Sequence, residues 1–433
     1  MLYNKILPYI NTFTGVCLFA FLALVADVKA QEIEEPDDVY TVEQQGAAIG
    51  VRERPRPDYD PVGARIGSFL FYPSVKTGVE FDDNIFALSS GAVDDIIYLI
   101  DPQLVLKSQW SRHRLDFDFS LNHKEYQDND DESYTDYKGT VESTVDVTRD
   151  FKIDASLFGG VLHEPRGSAD SPTASTAAEP TEYSQVEAKV SLNKTFNRLT
   201  MSFGAAYLEY DYDDVSASGG GVIDQDNRDG DIVTLVQKSS YEFSPGYKAF
   251  VYGEYNTRDF VGNPGLDRDS EGYRILSGVE FEVSRILKGE VGLGYLEQDY
   301  SEATFEDIDG FSYRSGFIWH PTSLMTIKAN GERSVAETVV SGASGRLDTT
   351  AAVTLDYEIL RNLIASPFFS YQFSDFKGDA REDTYITTGM NVDYMLNRHF
   401  HFGMSYNYIE RDSNEVGLDY DRQKVGAHVK AQF

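Results

Sequence analysis

The side chains in this sequence that are best equipped for chemistry are carboxylates and histidines. Asp211-Tyr212-Asp213-Asp214 and Asp224-Gln225-Asp226-Asn227-Arg228-Asp229-Gly230 offer the oxygen ligands that calcium takes. Arg228 stands where the calcium-loop pattern needs a carboxylate or an amide, so the preferred reading is two solvated acidic loops, with no metal assigned. Ions held between these loops and lipid phosphates are the alternative. His399 and His401 share one face of an extended chain, as metal ligands can, but lack a neighbouring acidic partner in sequence and read as solvated polar-face histidines. No His-Glu-x-x-His, Gly-x-Ser-x-Gly, Gly-x-x-x-x-Gly-Lys or cysteine pair occurs. Gly219-Gly220-Gly221 reads as loop flexibility. A hydrolytic triad assembled across strands is recognised by geometry, and nothing in the sequence raises it above background. No catalytic residue and no cofactor are therefore assigned.

A second group of polar residues is spaced by two. Lys248, Glu254, Asn256 and Arg258 share one face of a strand, with Phe250 and Tyr252 interleaved. Asp116 and Asp118 share another face, and Lys424, His428 and Lys430 share the last. Mixed charges and rings on one face suit a water-filled passage for a polar polymer, rings packing on sugar faces and side chains bonding hydroxyls. The plainer alternative is that any such lumen is polar. On the opposite face of the last strand Val425, Ala427, Val429, Ala431 and Phe433 are apolar or aromatic, as lipid contact requires.

These faces need long strands to carry them. The 433-residue chain has 27 Phe and 28 Tyr but only two Trp, with a formal net charge of −33. That charge argues against nucleic acid, which demands basic clusters. Residues 1–30 read as a secretory signal: Lys5, an apolar run from Val16 to Ala26, and Val28-Lys29-Ala30 before Gln31. The single cysteine, Cys17, lies within it, so the mature chain has no disulfide framework. Residues 31–66 are acidic, then punctuated by Arg and Pro. They read as an extended periplasmic lead-in, too short for a folded domain or a barrel plug, and a possible contact for a periplasmic export partner.

From Phe69 on, the period is two. Leu115, Phe117, Phe119 and Leu121 alternate with Asp116, Asp118, Ser120 and Asn122; Leu199, Met201, Phe203 and Ala205 alternate with Thr200, Ser202 and Gly204. Phe400, Phe402, Met404, Tyr406 and Tyr408 alternate with His401, Gly403, Ser405 and Asn407. Short connections fall at Ser111–Arg114, Arg149-Asp150, Phe196–Arg198, Ser244–Gly246, Ser284-Arg285, His320–Thr322, Leu360–Asn362 and Leu396–Arg398. They recur roughly every 36–48 residues, one hairpin plus its loop. Between them lie nine longer acidic segments. Eight turns and nine loops join eighteen antiparallel strands, which predicts an all-β, up-and-down transmembrane barrel over residues 67–433 with short periplasmic turns and long outer loops. A two-sheet sandwich fits poorly with so many strands, and closure removes exposed edges.

The stretch Arg54–Pro61 leads into Gly67-Ser68-Phe69-Leu70-Phe71-Tyr72-Pro73 and Phe81-Asp82-Asp83-Asn84-Ile85-Phe86. With Tyr241–Tyr247 and Leu360–Leu363, it resembles the putative beta-barrel porin family of proteobacterial outer-membrane proteins. The resemblance covers roughly residues 51–433. It implies an outer-membrane barrel and passage of an exported polysaccharide, an exopolysaccharide or capsule polymer, in contact with lipid and lipopolysaccharide. It supplies no catalytic residues. A general diffusion porin for small solutes, or a non-transporting docking barrel, are the alternatives. Phe433 resembles the terminal signal read by outer-membrane assembly machinery.

Overall fold

The computed structural model describes residues 49–173, 176–261 and 267–433. The predicted leader, and residues 31–48 of the lead-in, lie outside them. Eighteen long strands run in chain order: β1 (Phe69–Asp82), β2 (Asp95–Ser108), β3 (His113–Tyr126), β4 (Tyr134–Thr148), β5 (Phe151–His163) and β6 (Glu182–Phe196). Then come β7 (Leu199–Tyr212), β8 (Gly230–Ser244), β9 (Tyr247–Phe260), β10 (Ser270–Val283), β11 (Leu287–Tyr300) and β12 (Ile308–Thr322). The last six are β13 (Met325–Ala336), β14 (Gly345–Leu360), β15 (Leu363–Lys377), β16 (Glu382–Met395), β17 (Phe400–Ser413) and β18 (Tyr420–Gln432). Each pairs antiparallel with its sequence neighbours, and β18 returns to β1 over nine residue pairs, from Ser74↔Gln432 to Asp82↔Lys424. The sheet is a closed barrel. Closure leaves no strand with a free edge, which is what a hydrocarbon environment demands of a sheet.

The alternation fixes which way every residue points. Opposite Ser74, Lys76, Gly78, Glu80 and Asp82 of β1 stand Gln432, Lys430, His428, Gly426 and Lys424 of β18, all facing inward. Val75, Thr77 and Val79 pair with Ala431, Val429 and Ala427 on the outside. Large apolar side chains are exposed on that outer face, among them Phe203, Ile275, Leu293, Phe369, Phe402 and Met404. Most buried residues of the long strands point inward, and others, such as Ala177 and Val215, lie in the connecting loops. They form separate small clusters rather than one core, for example Leu296, Tyr300, Phe305, Ile308 and Leu347 on β11–β14. A one-residue slip would send Lys424 and Glu80 outward, so register is set by the pattern itself.

All eight short turns lie at one rim. Two are made by non-glycine residues at positive φ, Asn197 (57°) and the Ser284-Arg285 pair (56° and 60°). The turn expected at His320–Thr322 lies two residues later, at Ser323-Leu324, and β12 continues through Pro321. Register shifts there between Trp319 and Thr322, a bulge that leaves Pro321 out of the ladder to which it cannot donate. Three further shifts, at Asp146/Thr148, Glu242/Ser244 and Glu358/Leu360, also fall beside this rim.

The lead-in departs from expectation. Residues 49–60 are not extended: Arg54 N–H donates to Gly50 C=O, and the N–H groups of Tyr59 and Asp60 both donate to Arg56 C=O, which folds the segment into two turns. Val51 is buried against Ile364 and Met395 inside the barrel. Ala64–Ile66 then pairs with Phe69–Phe71 to bring the chain into β1.

Candidate functional site: the lumen and its two mouths

Eighteen strands enclose a lumen too wide for their own side chains to fill, so its character depends on what projects into it. All ten inward candidates from the sequence face the lumen, but they are not a uniform lining. On β9, Glu254 accepts from Arg274 of β10 at 2.8 Å, and Arg274 also pairs with Glu332 of β13. Tyr252 donates its hydroxyl to Glu254, and its ring lies 5.6 Å from the guanidinium carbons of both Arg274 and Arg314. Asn256 accepts from Gln298 and Arg258, and Arg258 pairs with Glu337 of the β13–β14 loop. Lys248, the most exposed of the group, is 3.4 Å from Glu280.

On β3, Asp118 accepts from Gln103 of β2 (3.1 and 3.2 Å), and Asp116 accepts the Ser108 N–H at 3.2 Å. On β18, Lys424 is buried between Glu80 and Asp82 (3.7 and 3.4 Å). The ring of His428 fills the space a side chain at Gly403 would take: a Cβ there would stand 2.1 Å from His428 Cε1. Lys430 lies opposite Lys76 and His401. Rings expected to meet sugars are therefore already covered. Phe250 sits 4.6 Å beneath Lys238 Nζ, and Phe250 and Tyr252 pack on Leu276.

Nothing in the period-two pattern signals what crosses the outer half of the lumen. The loop joining β5 to β6 leaves one wall and crosses to the other. Arg166 of this loop binds Glu132 of the β3–β4 loop through two bonds (2.6 and 3.0 Å). The carbonyl of Gly167 accepts from Tyr420 of β18, and that of Ala169 from Arg381 of the β15–β16 loop. Asp170 takes three donors on the far side: Thr338 Oγ1 at 2.5 Å and the Val339 N–H at 3.1 Å, both of the β13–β14 loop, and Arg346 Nη1 of β14 at 3.3 Å. In a ring of eighteen, β14 stands opposite β5, so residues 164–173 span the lumen. Behind this bar Arg381 and Arg411 share Asp383 (2.7 and 2.9 Å), and Arg422 grips Asp82. A recess of about 340 Å³ remains, lined by Leu88, Asp170, Val340, Arg381 and Arg411 among others.

The two acidic loop segments take structural roles as well as solvent contact. Arg228, which spoils the calcium pattern, pairs with Glu164 at 2.7 Å and stacks 4.0 Å over the Tyr212 ring. Burial pulls its pKa down, but Glu164 and Tyr212 outweigh that and hold it above the ordinary arginine value. Asp229 accepts the Tyr212 N–H at 2.7 Å; burial first, then Asp211, Asp226 and Asp213, push its carboxyl up to about 6. Carboxylates of Asp214, Asp224 and Asp226 converge on the exposed side, where Asp214 and Asp224 already accept backbone N–H groups.

At the short-turn mouth the site is built from the lead-in. Arg52 binds Asp356 of β14 and Asp393 of β16, both at 2.8 Å, and Arg54 and Arg56 converge on Glu358 (3.1 and 2.8 Å). His401 is not a solvated lumen histidine: its Nε2 lies 3.2 Å from the Tyr59 carbonyl and 3.1 Å from Gln432 Nε2. His399 lies in the β16–β17 turn, its ring 5.7 Å from that of Phe433. The polar side chains that matter most here, Arg52, Arg56, Asp170 and Arg346, escaped the period-two reading because three of them lie in connections.

A closed antiparallel barrel with an apolar outer belt, a polar and charged lumen, and short turns at one rim is an outer-membrane β-barrel of the porin class. The family described as Putative beta-barrel porin 2 matches residues 56–433, nearly the whole described chain, and the chain belongs to it. No curated protein matches the sequence. Among solved structures, Pseudomonas aeruginosa OpdL is similar at 10% identity over 85% of this chain and 99% of its own, with a TM-score of 0.42. Acinetobacter baumannii OccAB4 is similar at 13% identity over 88% and 100%, with a TM-score of 0.43. The siderophore receptor PiuA from Acinetobacter baumannii is similar at 9% identity over 86% and 82%, with a TM-score of 0.46.

Proposed function

We propose that this porin is a narrow diffusion channel for small polar solutes. The observation that carries this is the bar of residues 164–173, held on the far side through Asp170, which takes up part of the lumen's width. Selectivity then comes from the width beside the bar and from lining charges, not from bond-making chemistry. The lining charges are largely neutralised by one another, which suits uncharged or zwitterionic solutes better than a strongly charged one.

Polysaccharide export, which the family resemblance brings forward, is the second reading. What favours it is the wall of β14–β17, where Thr354, Ser370, Gln372, Asn391, Ser405 and Asn407 face inward as neutral hydroxyls and amides that could bond sugar hydroxyls. Purified protein in liposomes, challenged with sugars of increasing size, separates the two. Swelling that stops at small sugars supports the diffusion channel. Normal small-sugar permeability with loss of a surface polymer on gene deletion would overturn it in favour of export.

A further inference from the structure

We propose that residues 49–60 are an in-chain plug of the short-turn mouth, latched by arginines, whose release widens the pore and makes it cation-selective. The inference rests on the reading of this barrel as a channel. Its seat is specific. Val51 is only 1% exposed, wedged on Ile364 and Met395 with Tyr59 against the same cluster, and its N–H donates to Thr326 Oγ1 at 2.9 Å. Neither a sheet nor a helix holds the segment. Pro55 and Pro57 deny it ladder donors, so it cannot add a strand to the wall and must be held by side chains.

Those side chains are the three arginines spaced by two. Arg52 donates to Asp356, Asp393 and Ser366 Oγ (2.8, 2.8 and 2.7 Å). Arg54 donates to Glu358 and the Ser323 carbonyl. Arg56, 3% exposed, donates to Glu358 and to the carbonyls of Arg361 and Val51. Glu53 meets Lys328 at 3.0 Å, Arg398 donates to Pro57 C=O at 2.6 Å, and Gln432 donates to Tyr59 C=O. The contacts run unbroken from β13 to β18, six of the eighteen strands, at one mouth. Charge-assisted bonds of this kind are strong and directional, so they can hold a segment that has no secondary structure of its own.

The wall side of the latch is acidic. Asp356 and Glu358 are nearly buried beneath the segment and Asp393 lies beside them. Removing the arginines therefore does two things at once: it clears the mouth, and it leaves three carboxylates facing the water there. A merely structural role for residues 49–60 predicts the shift in selectivity from charge alone but no larger current, so the conductance decides.

The test uses the protein in planar bilayers, with its single cysteine, Cys17, replaced by serine so that no thiol competes with a disulfide lock. The triple variant Arg52→Gln, Arg54→Gln, Arg56→Gln should raise single-channel conductance about twofold or more and shift the reversal potential in a salt gradient toward cation preference. Adding Asp356→Asn, Glu358→Gln and Asp393→Asn to that variant should keep the large conductance and remove the cation preference. A lock controls for misfolding: Val51→Cys with Ile364→Cys in the triple-Gln background should conduct as wild type when oxidised and as the open variant when reduced, reversibly in one preparation. A wild-type protein that is silent while the triple variant conducts also supports the plug. Wild-type and triple-variant currents of equal size overturn the plug, whatever the selectivity, and leave the channel reading standing. No current from any variant overturns both.

Discussion

Replacing Asp170 by alanine tests whether the loop between β5 and β6 is held across the lumen or merely rests there. Asp170 accepts three hydrogen bonds, two at one oxygen and one at the other, and its side chain is 13% exposed against 19% for Arg346. Bonds to a charged acceptor contribute about 1.5–3 kcal/mol each when truly buried. Here the loss is smaller: Arg346 retains Asp348 at 3.1 Å, and the freed Thr338 and Val339 donors can turn to lumen water. A net cost of about 2 kcal/mol for undocking the loop tip follows, which shifts its docked-to-undocked ratio by about thirtyfold. Arg166 still ties the loop base to Glu132, so the loop swings rather than unfolds. Single-channel records of Asp170→Ala should show frequent excursions to a higher conductance and admit larger sugars in liposome swelling. Asp170→Asn keeps an acceptor for Thr338 and Val339 and should fall between the two. Unchanged conductance, noise and size cut-off in Asp170→Ala would refute the reasoning, because a loop that does not obstruct has nothing to release.

Four further outcomes follow from the geometry. On β16, Met390 points outward and Asn391 inward, so Met390→Arg should cost about 2–4 kcal/mol of barrel stability while Asn391→Arg costs little; urea titration of the refolded protein in vesicles measures both. Removing Phe433, whose N–H donates to Pro73 C=O where the barrel closes, should lower the fraction of heat-modifiable barrel in membranes more than it alters conductance of the molecules that insert. Lys430→Glu should do the reverse, moving ion selectivity toward cations with little loss of assembled protein. Asp229 has a folded pKa near 6, above the ordinary carboxylate value, so its contribution to loop stability is complete below about pH 4 and is lost as pH rises through 6. Protease nicking between residues 213 and 229 should accordingly be slower at pH 5 than at pH 7.5, and Asp229→Asn should abolish the difference.

The sequence by itself determined the wall of this molecule. Strand number, the rim that carries the turns, and the direction of Asp118, Glu254, Phe402 or Lys430 all follow from a period of two, because each strand of a barrel meets lipid on one side and water on the other. That information is local: a residue's neighbours two positions away announce its face. Even the small error at His320–Thr322 was local, a proline read as a turn where a bulge absorbed it. What fills the wall was decided only in three dimensions. Arg52 finds Asp356 and Asp393, and Asp170 finds Thr338 and Arg346, across 168 to 341 positions of chain. An arginine in a connecting segment looks solvated in sequence whichever carboxylate it will meet. Tyr252 shows the same limit on a strand: period two put its ring in the lumen, but only the arrival of Arg274 and Arg314 from other strands decided that the ring is covered. The barrel's walls are written in periodicity, and the ion pairs inside it form only when closure brings distant segments together.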